Sequence, residues 1–224
     1  MQAGGNGKSF AAPRFVRLAL VFYSLMALIG IGLYRLAAGG WVLHWTPINQ
    51  RPQPWLEIGL LAGAFLFNLL FDIAGPRHSK KLACFHRTLA DVLGSLGGWE
   101  IILLALLSGL GEEILFRGAV QPLLGFVPAT VLFALSHFPV KRDMWIWPIY
   151  ALGMGVVLGL LRSIGGDIWS AVLLHSSVNA VSLSLISGKK AEKPLNEDNT
   201  DSPGHRQLHN DSHQGPAEDP QRGL

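Results

Sequence analysis

Long apolar runs fill most of the chain and are separated by short polar segments. A helix needs about 20 apolar residues to span a hydrocarbon core about 30 Å thick. Three runs meet this requirement clearly: 15–38, 55–74 and 145–161. Three others are shorter or are interrupted by polar residues: 99–124, 126–138 and 168–187. The pattern predicts an all-α polytopic membrane bundle with about six transmembrane helices.

The composition agrees with a protein of the lipid bilayer. Half of the 224 residues are hydrophobic and only 15% are charged. The net charge is +3, and the basic residues flank apolar segments instead of forming one patch, so we expect no nucleic-acid partner. A single cysteine, Cys84, excludes an internal disulfide. We therefore expect a multi-pass protein of the cell membrane.

The first apolar run could also be a signal peptide, because Arg14 and Arg17 precede it and small residues follow it. Its length of about 20 residues exceeds the roughly 7–15 apolar residues of a signal sequence. We predict that it is retained as an anchor. Its removal would leave five spans.

The lysines and arginines predict the orientation, since cytoplasmic loops are enriched in them. With the N-terminus inside, the outer loops hold only Arg35, Arg51 and Arg162. The inner segments then hold Lys8, Arg14, Arg17, Arg77, Lys80, Lys81, Arg87, Lys141, Arg142, Lys189, Lys190 and Lys193. This asymmetry predicts that both termini are cytoplasmic.

Four segments follow from these patterns. Residues 1–14 form a cytoplasmic N-terminus, and residues 15–98 hold two transmembrane helices and a loop. That loop mixes cations with apolar residues, and is either an amphipathic helix along the inner leaflet or a solvated loop. Residues 99–187 form the membrane domain that carries the candidate chemistry. Residues 188–224 contain few large apolar side chains and are predicted to be a disordered polar tail.

Three charged residues interrupt the run 99–124: Glu112, Glu113 and Arg117. Each costs roughly 2.5–3.5 kcal/mol near the centre of a spanning helix, so they need a reason to be there. On a helix Glu113 and Arg117 are four residues apart and can neutralise each other. Glu112 is rotated about 100° from Glu113 and is left without this partner. An unpaired carboxylate in a dry environment is a candidate general base.

Two further helices carry polar pairs at the same spacing. Phe133 and His137 share one face of the fifth predicted helix, and His175 and Asn179 share one face of the sixth. Counted from the span ends, Glu112, His137 and His175 lie about 10, 16 and 10 Å below the outer boundary. These depths agree within about one helical turn and permit a shared site. Packing alone would explain a lone Asn179 equally well, but is a costly explanation for the whole set.

The three motifs together resemble those of the CAAX-protease and bacteriocin-processing family, also called Abi. They are E-E-x-x-x-R at Glu112, Glu113 and Arg117, F-x-x-x-H at Phe133 and His137, and H-x-x-x-N at His175 and Asn179. The resemblance covers residues 99–187 and implies an intramembrane endopeptidase that acts on a peptide or membrane-protein substrate. It implies that Glu112 and His137 activate water and that His175 and Asn179 stabilise the oxyanion. Glu113, Arg117 and Phe133 then support the site.

The role of a metal stays open at the level of sequence. Glu112, His137 and His175 could supply a zinc site with an open position for water. The same residues also suffice for hydrolysis without a metal, which we favour slightly. Two other classes of function remain: a non-catalytic membrane scaffold or immunity protein that uses the polar bundle to bind a partner, and a small transporter or proton relay.

Overall fold

The computed structural model describes residues 11–139, 141 and 144–189. Most of the predicted N-terminal segment 1–14 and of the predicted polar tail 188–224 lies outside these residues. Within the described part the regular structure is entirely helical. A short 3-10 turn, Ile48–Gln50, lies between the first two helices. The seven helices are α1 (Ala11–Ala38), α2 (Pro54–His78), α3 (Lys80–Leu93), α4 (Gly98–Leu124), α5 (Phe126–Ser136), α6 (Ile146–Gly165) and α7 (Trp169–Lys189).

The all-α polytopic bundle predicted from the sequence is confirmed. Four of the described helices are long and apolar enough to cross a membrane: α1, α2, α6 and α7. A fifth span results if α3 and α4, which meet at a bend of 105°, are counted as one. The sequence predicted about six because it also counted the run 126–138. Helix α5 has only 11 residues, and at about 1.5 Å per residue it is shorter than the hydrocarbon core.

The segment between α2 and α4 folds as a helix, which is one of the two alternatives that its composition allowed. Ser79 caps α3 by accepting a hydrogen bond from the backbone N–H of Leu82 at 3.4 Å. Leu82, His86 and Leu93 are buried, while the other residues of the helix are half-buried or exposed. Its position along the inner leaflet stays a prediction.

Glycines in the left-handed region separate two pairs of helices. Gly125 has φ +97° between α4 and α5, and Gly166 has φ +80° between α6 and α7. A residue with a Cβ is strained at these angles, so glycine permits the chain to reverse within a few residues. These sharp reversals bring α4 against α5, and α6 against α7.

Helix α4 is the centre of the bundle and packs most extensively against α7 and α1. An apolar core surrounds its second half and is built from Phe116, Phe133, Ala151, Met154, Leu158, Leu161, Ala171, Leu174 and Val178. Large apolar side chains of α1 and α2 face outward instead, among them Leu28 and Phe67. An outward apolar surface of this kind suits contact with lipid.

A buried polar network ties the loop between α1 and α2 to the start of α7. Arg51 pairs with Glu57, and its Nη2 lies 2.9 Å from Oδ2 of Asp167. Arg51 also donates to the hydroxyl of Ser170 at 3.0 Å, and Asp167 accepts from the backbone N–H of Thr46 at 2.8 Å. Asp167 and Ser170 are more than a hundred residues from Arg51 in sequence, and Glu57 lies in another element. The sequence patterns therefore did not indicate the network. It fixes the N-terminal end of the helix that carries His175 and Asn179.

Candidate active site

The charged motif of α4 lies where the helix changes its hydrogen-bond register. Gly98–Glu113 is α-helical, Ile114–Val120 is a π-helix and Gln121–Leu124 is α-helical again. Pro122 cannot donate a backbone hydrogen bond, and the wider turn immediately before it accommodates that loss. Such π segments are frequent at functional sites. Here the π segment begins directly after the two glutamates and carries Arg117.

Glu113 is the centre of a fully buried charge network. Its Oε1 accepts hydrogen bonds from Nη1 of Arg117 at 3.2 Å and from Nδ1 of His175 at 2.8 Å. Arg117 also donates to the carbonyl of Gly155 at 3.1 Å and lies 4.1 Å above the ring of Phe133. The predicted pair of Glu113 and Arg117 is therefore present, and it also fixes the ring of His175.

Glu112 points away from this network and faces His137. Its Oε2 lies 3.6 Å from Nε2 of His137, and it accepts no hydrogen bond from any described residue. The other ring nitrogen of His137, Nδ1, lies 2.8 Å from the carbonyl oxygen of Phe133. Because that carbonyl only accepts, Nδ1 carries the hydrogen, and a neutral ring then presents the lone pair of Nε2 to Glu112. Two acceptors that face each other call for a shared donor, and a water molecule can serve both.

His137 lies just beyond α5 and not within it, which corrects the predicted helix 126–138. The helix ends at Ser136, and the backbone N–H of His137 bonds to the carbonyl of Ala134 at 3.1 Å, in a tighter turn. Pro139 explains this end, because the residue before a proline disfavours helical angles. His137 still meets Phe133, with ring centroids 4.7 Å apart.

A small cavity lies between these groups. Its volume is about 110 Å³, and its walls include the four residues predicted to be catalytic: Glu112, His137, His175 and Asn179. The volume accommodates water, since one ordered molecule needs roughly 10–15 Å³ by the same kind of measure. Asn179 donates one amide hydrogen to the hydroxyl of Ser108 at 2.8 Å. Groups from α4, α7 and the end of α5 thus meet around one polar space.

Three further aromatic residues line the cavity and were not indicated by the sequence patterns. Tyr23 comes from α1, and Trp147 and Tyr150 come from α6. The ring of Trp147 packs at 5.5 Å from that of His137, at an angle of 80°. An aromatic residue in a membrane helix is too common to stand out, so only the contacts reveal these three.

The zinc set that the sequence allowed does not assemble in this arrangement. Among the described residues, no three His, Cys, Asp or Glu side chains are placed as metal ligands. Of the three, only Glu112 and His137 have side-chain nitrogen and oxygen atoms within 4 Å of each other.

Comparison with known proteins shows which family this part of the chain is similar to. Residues 95–181 match the model of the Type II CAAX prenyl endopeptidase Rce1-like family. The uncharacterized protein YpbD of Bacillus subtilis (strain 168) is 33% identical over 82 residues, which are 37% of this chain. The match spans 43% of the length of that relative. No solved structure matches the chain. All three motifs lie within the matched residues, whereas α1 and α2 lie outside them.

Proposed function

We propose that this protein, whose residues 95–181 match the model of the Type II CAAX prenyl endopeptidase Rce1-like family, is an intramembrane endopeptidase. In this proposal Glu112 and His137 activate a water molecule that hydrolyses a peptide bond. The observation that supports it most directly is the facing pair of acceptors, Oε2 of Glu112 and Nε2 of His137, beside a cavity large enough for water. A pair that served packing alone would be expected to share a hydrogen.

The hydrolysis needs a base that activates water, donors that stabilise the oxyanion and an acid that protonates the leaving amine. The water oxygen attacks the carbonyl carbon while its proton passes to the carboxylate of Glu112. The carbonyl oxygen becomes an oxyanion that the amide of Asn179 and the ring of His175 stabilise. When the C–N bond breaks, the proton held by Glu112 passes to the leaving amine. His137 orients the water by accepting its second hydrogen at Nε2.

Glu113 and Arg117 act on the reaction through His175. The bond from Nδ1 of His175 to Glu113 holds the ring in one orientation and directs Nε2 toward the cavity. Arg117 pairs with Glu113 and holds it in place, and both side chains are withdrawn from water. These two residues therefore position a catalytic group without touching the substrate.

Two peptide probes test the activity. The full-length protein is reconstituted in liposomes and incubated with an S-farnesylated peptide that ends in a Cys-aliphatic-aliphatic-X sequence, and with the same peptide without the farnesyl group. Mass spectrometry follows the release of the residues after the cysteine. We expect cleavage by the wild type and a loss of about 10²–10⁴-fold in Glu112→Gln, since this is the usual contribution of a general base. The pair of probes shows whether the prenyl group is required.

The matched control is Glu100→Gln, which makes the same chemical change at the start of the same helix. Glu100 only caps the backbone N–H of Gly97, at 2.7 Å, so its replacement should leave cleavage unchanged. Membranes from cells that express the wild type or Glu112→Gln are compared in parallel by mapping new peptide termini. If Glu112→Gln cleaves the probes normally, or if neither the probes nor any membrane protein is cleaved by the wild type, the proposal is refuted. The scaffold or immunity function would then take its place.

A further inference from the structure

Tyr23 brings a phenol group into the catalytic cavity from a helix outside the family-matched segment. Helix α1 contributes this residue to the same walls that hold Glu112, His175 and Asn179. It also lines an adjoining, mostly apolar cavity of about 210 Å³ that reaches toward α3. Tyr23 therefore lies at the boundary between the two spaces, together with Trp147, Tyr150 and Asn179.

The position of Tyr23 is fixed by direct contact between the backbones of α1 and α4. A Cβ placed on Gly111 would lie 2.7 Å from the carbonyl oxygen of Tyr23. Two turns further along α1, a Cβ on Gly30 would lie 2.8 Å from the Cα of Leu115. Neither distance leaves room for a side chain, so the two helices touch at both points. Because Gly111 precedes Glu112, this contact holds Tyr23 beside the proposed base.

The motif residues alone provide few hydrogen-bond donors for an oxyanion. The Nδ1 of His175 donates to Glu113, so the ring can offer an oxyanion only a hydrogen on Nε2. Asn179 spends one amide hydrogen on Ser108 and retains one. The motifs thus offer at most two donors, one from the ring of His175 and one from the amide of Asn179, and a third donor would strengthen an oxyanion site.

The phenols of the cavity differ in how their hydrogens are used. The hydroxyl of Tyr150 donates to Oδ1 of Asn68 and is therefore engaged. The hydroxyl of Tyr23 forms no hydrogen bond with any described residue of the chain. We propose that Tyr23 is a catalytic residue whose phenol O–H donates a hydrogen bond to the oxyanion of the tetrahedral intermediate. This inference rests on the proposed peptidase activity and adds a donor from α1 to the residues of the three motifs.

The test compares Tyr23→Phe with Tyr34→Phe, which removes the same hydroxyl from the same helix away from the cavity. Both variants are assayed in liposomes with the probe that the wild type cleaves. We expect kcat of Tyr23→Phe to fall about 10²-fold, the lower end of the loss that follows removal of one oxyanion donor. KM should change less than about threefold, since the bond forms only in the transition state. Tyr34→Phe should behave like the wild type.

A tetrahedral peptidyl phosphinate of the probe sequence gives a second readout. Its inhibition constant should rise in Tyr23→Phe by the same factor by which kcat falls, because it mimics the oxyanion. If kcat stays within about threefold of the wild type, or if only KM rises, Tyr23 is not an oxyanion donor and the inference is overturned. Equal losses in both tyrosine variants, or a loss in Trp147→Phe without one in Tyr23→Phe, overturn it as well.

Two controls separate this outcome from misfolding and from failure of the proposed function. Difluorotyrosine at position 23 retains the ring and the donor, so it should retain activity. As the pH is raised, this variant should lose activity at a lower pH than the wild type, because a phenolate cannot donate a hydrogen bond. This comparison decides the inference even if Tyr23→Phe is poorly folded. If the wild type cleaves and Glu112→Gln does not, the peptidase proposal stands whatever Tyr23 does. If the wild type and Glu112→Gln are equally active, both proposals fall.

Discussion

Replacing Arg117 with methionine tests the buried charge network with one substitution. The arginine is 1% exposed, and Glu113, its partner, is 0% exposed. Methionine fills a similar volume but removes the bond to Glu113, the bond to the carbonyl of Gly155 and the contact with the ring of Phe133. Glu113 would then keep a single hydrogen-bond partner, His175.

The expected cost follows from that uncompensated charge. Breaking a buried ion pair by removing one partner costs about 3–5 kcal/mol, because the remaining charge stays withdrawn from water. Loss of a desolvated contact between a cation and an aromatic ring adds up to about 2 kcal/mol. Protonation of Glu113 would limit the total, so we expect Arg117→Met to destabilise the folded bundle by about 3–5 kcal/mol. Cleavage should also fall, since Glu113 no longer holds His175 in one orientation.

Unfolding in mixed detergent micelles, followed by tryptophan fluorescence, measures this difference. The double variant Glu113→Gln with Arg117→Met, compared with the two single variants, completes a double-mutant cycle. Glutamine at position 113 leaves no buried charge without a partner. We expect the double variant to be more stable than Arg117→Met alone, with a coupling energy of at least about 1 kcal/mol. A cost below about 1 kcal/mol for Arg117→Met, or additive effects in the double variant, would refute the network as described.

Three further predictions concern other parts of the structure. Gly111→Ala should separate α1 from α4 and lower both stability and cleavage, because its Cβ would lie 2.7 Å from the carbonyl oxygen of Tyr23. The control in the same unfolding assay is Gly63→Ala, whose Cβ would meet no atom within 4 Å. Asp167→Asn should destabilise the bundle by about 2–5 kcal/mol, since it leaves the buried guanidinium of Arg51 with one carboxylate fewer. Treatment with EDTA or phenanthroline should leave probe cleavage unchanged, and activity that disappears on chelation and returns with zinc would contradict a base formed by side chains and water alone.

The residues of the motifs could be found from the sequence because each motif lies within one helix. Spacing by four residues places Glu113 with Arg117, and His175 with Asn179, on one face whatever the rest of the fold does. The cost of charge in an apolar helix then marks the helix as functional. The different partners of the two glutamates also follow, since only Glu113 is placed to meet the arginine.

The remaining features depend on contacts between distant segments. Arg51 and Asp167 are separated by 116 residues, and neither lies in a pattern that distinguishes it from a loop charge. Tyr23 is one aromatic residue in an apolar helix, and only its packing against Gly111 places it at the cavity. The end of α5 was within reach of sequence reasoning, because Pro139 restricts the residue before it. The long apolar run concealed that signal and led to the prediction of a sixth span.

The different environments of Glu112 and Glu113 favour catalysis over a purely structural role for this bundle. Glu113 receives two hydrogen bonds to one oxygen, whereas Glu112 is 6% exposed and receives none from the described residues. A buried carboxylate without partners costs stability, and a scaffold would gain by replacing it with an amide or an apolar side chain. We therefore expect Glu112→Gln, the variant that abolishes cleavage, to unfold at a higher temperature than the wild type, whereas Glu113→Gln should unfold at a lower one. A lower unfolding temperature for Glu112→Gln would mean that the carboxylate stabilises the fold, and its position in the cavity would no longer argue for chemistry.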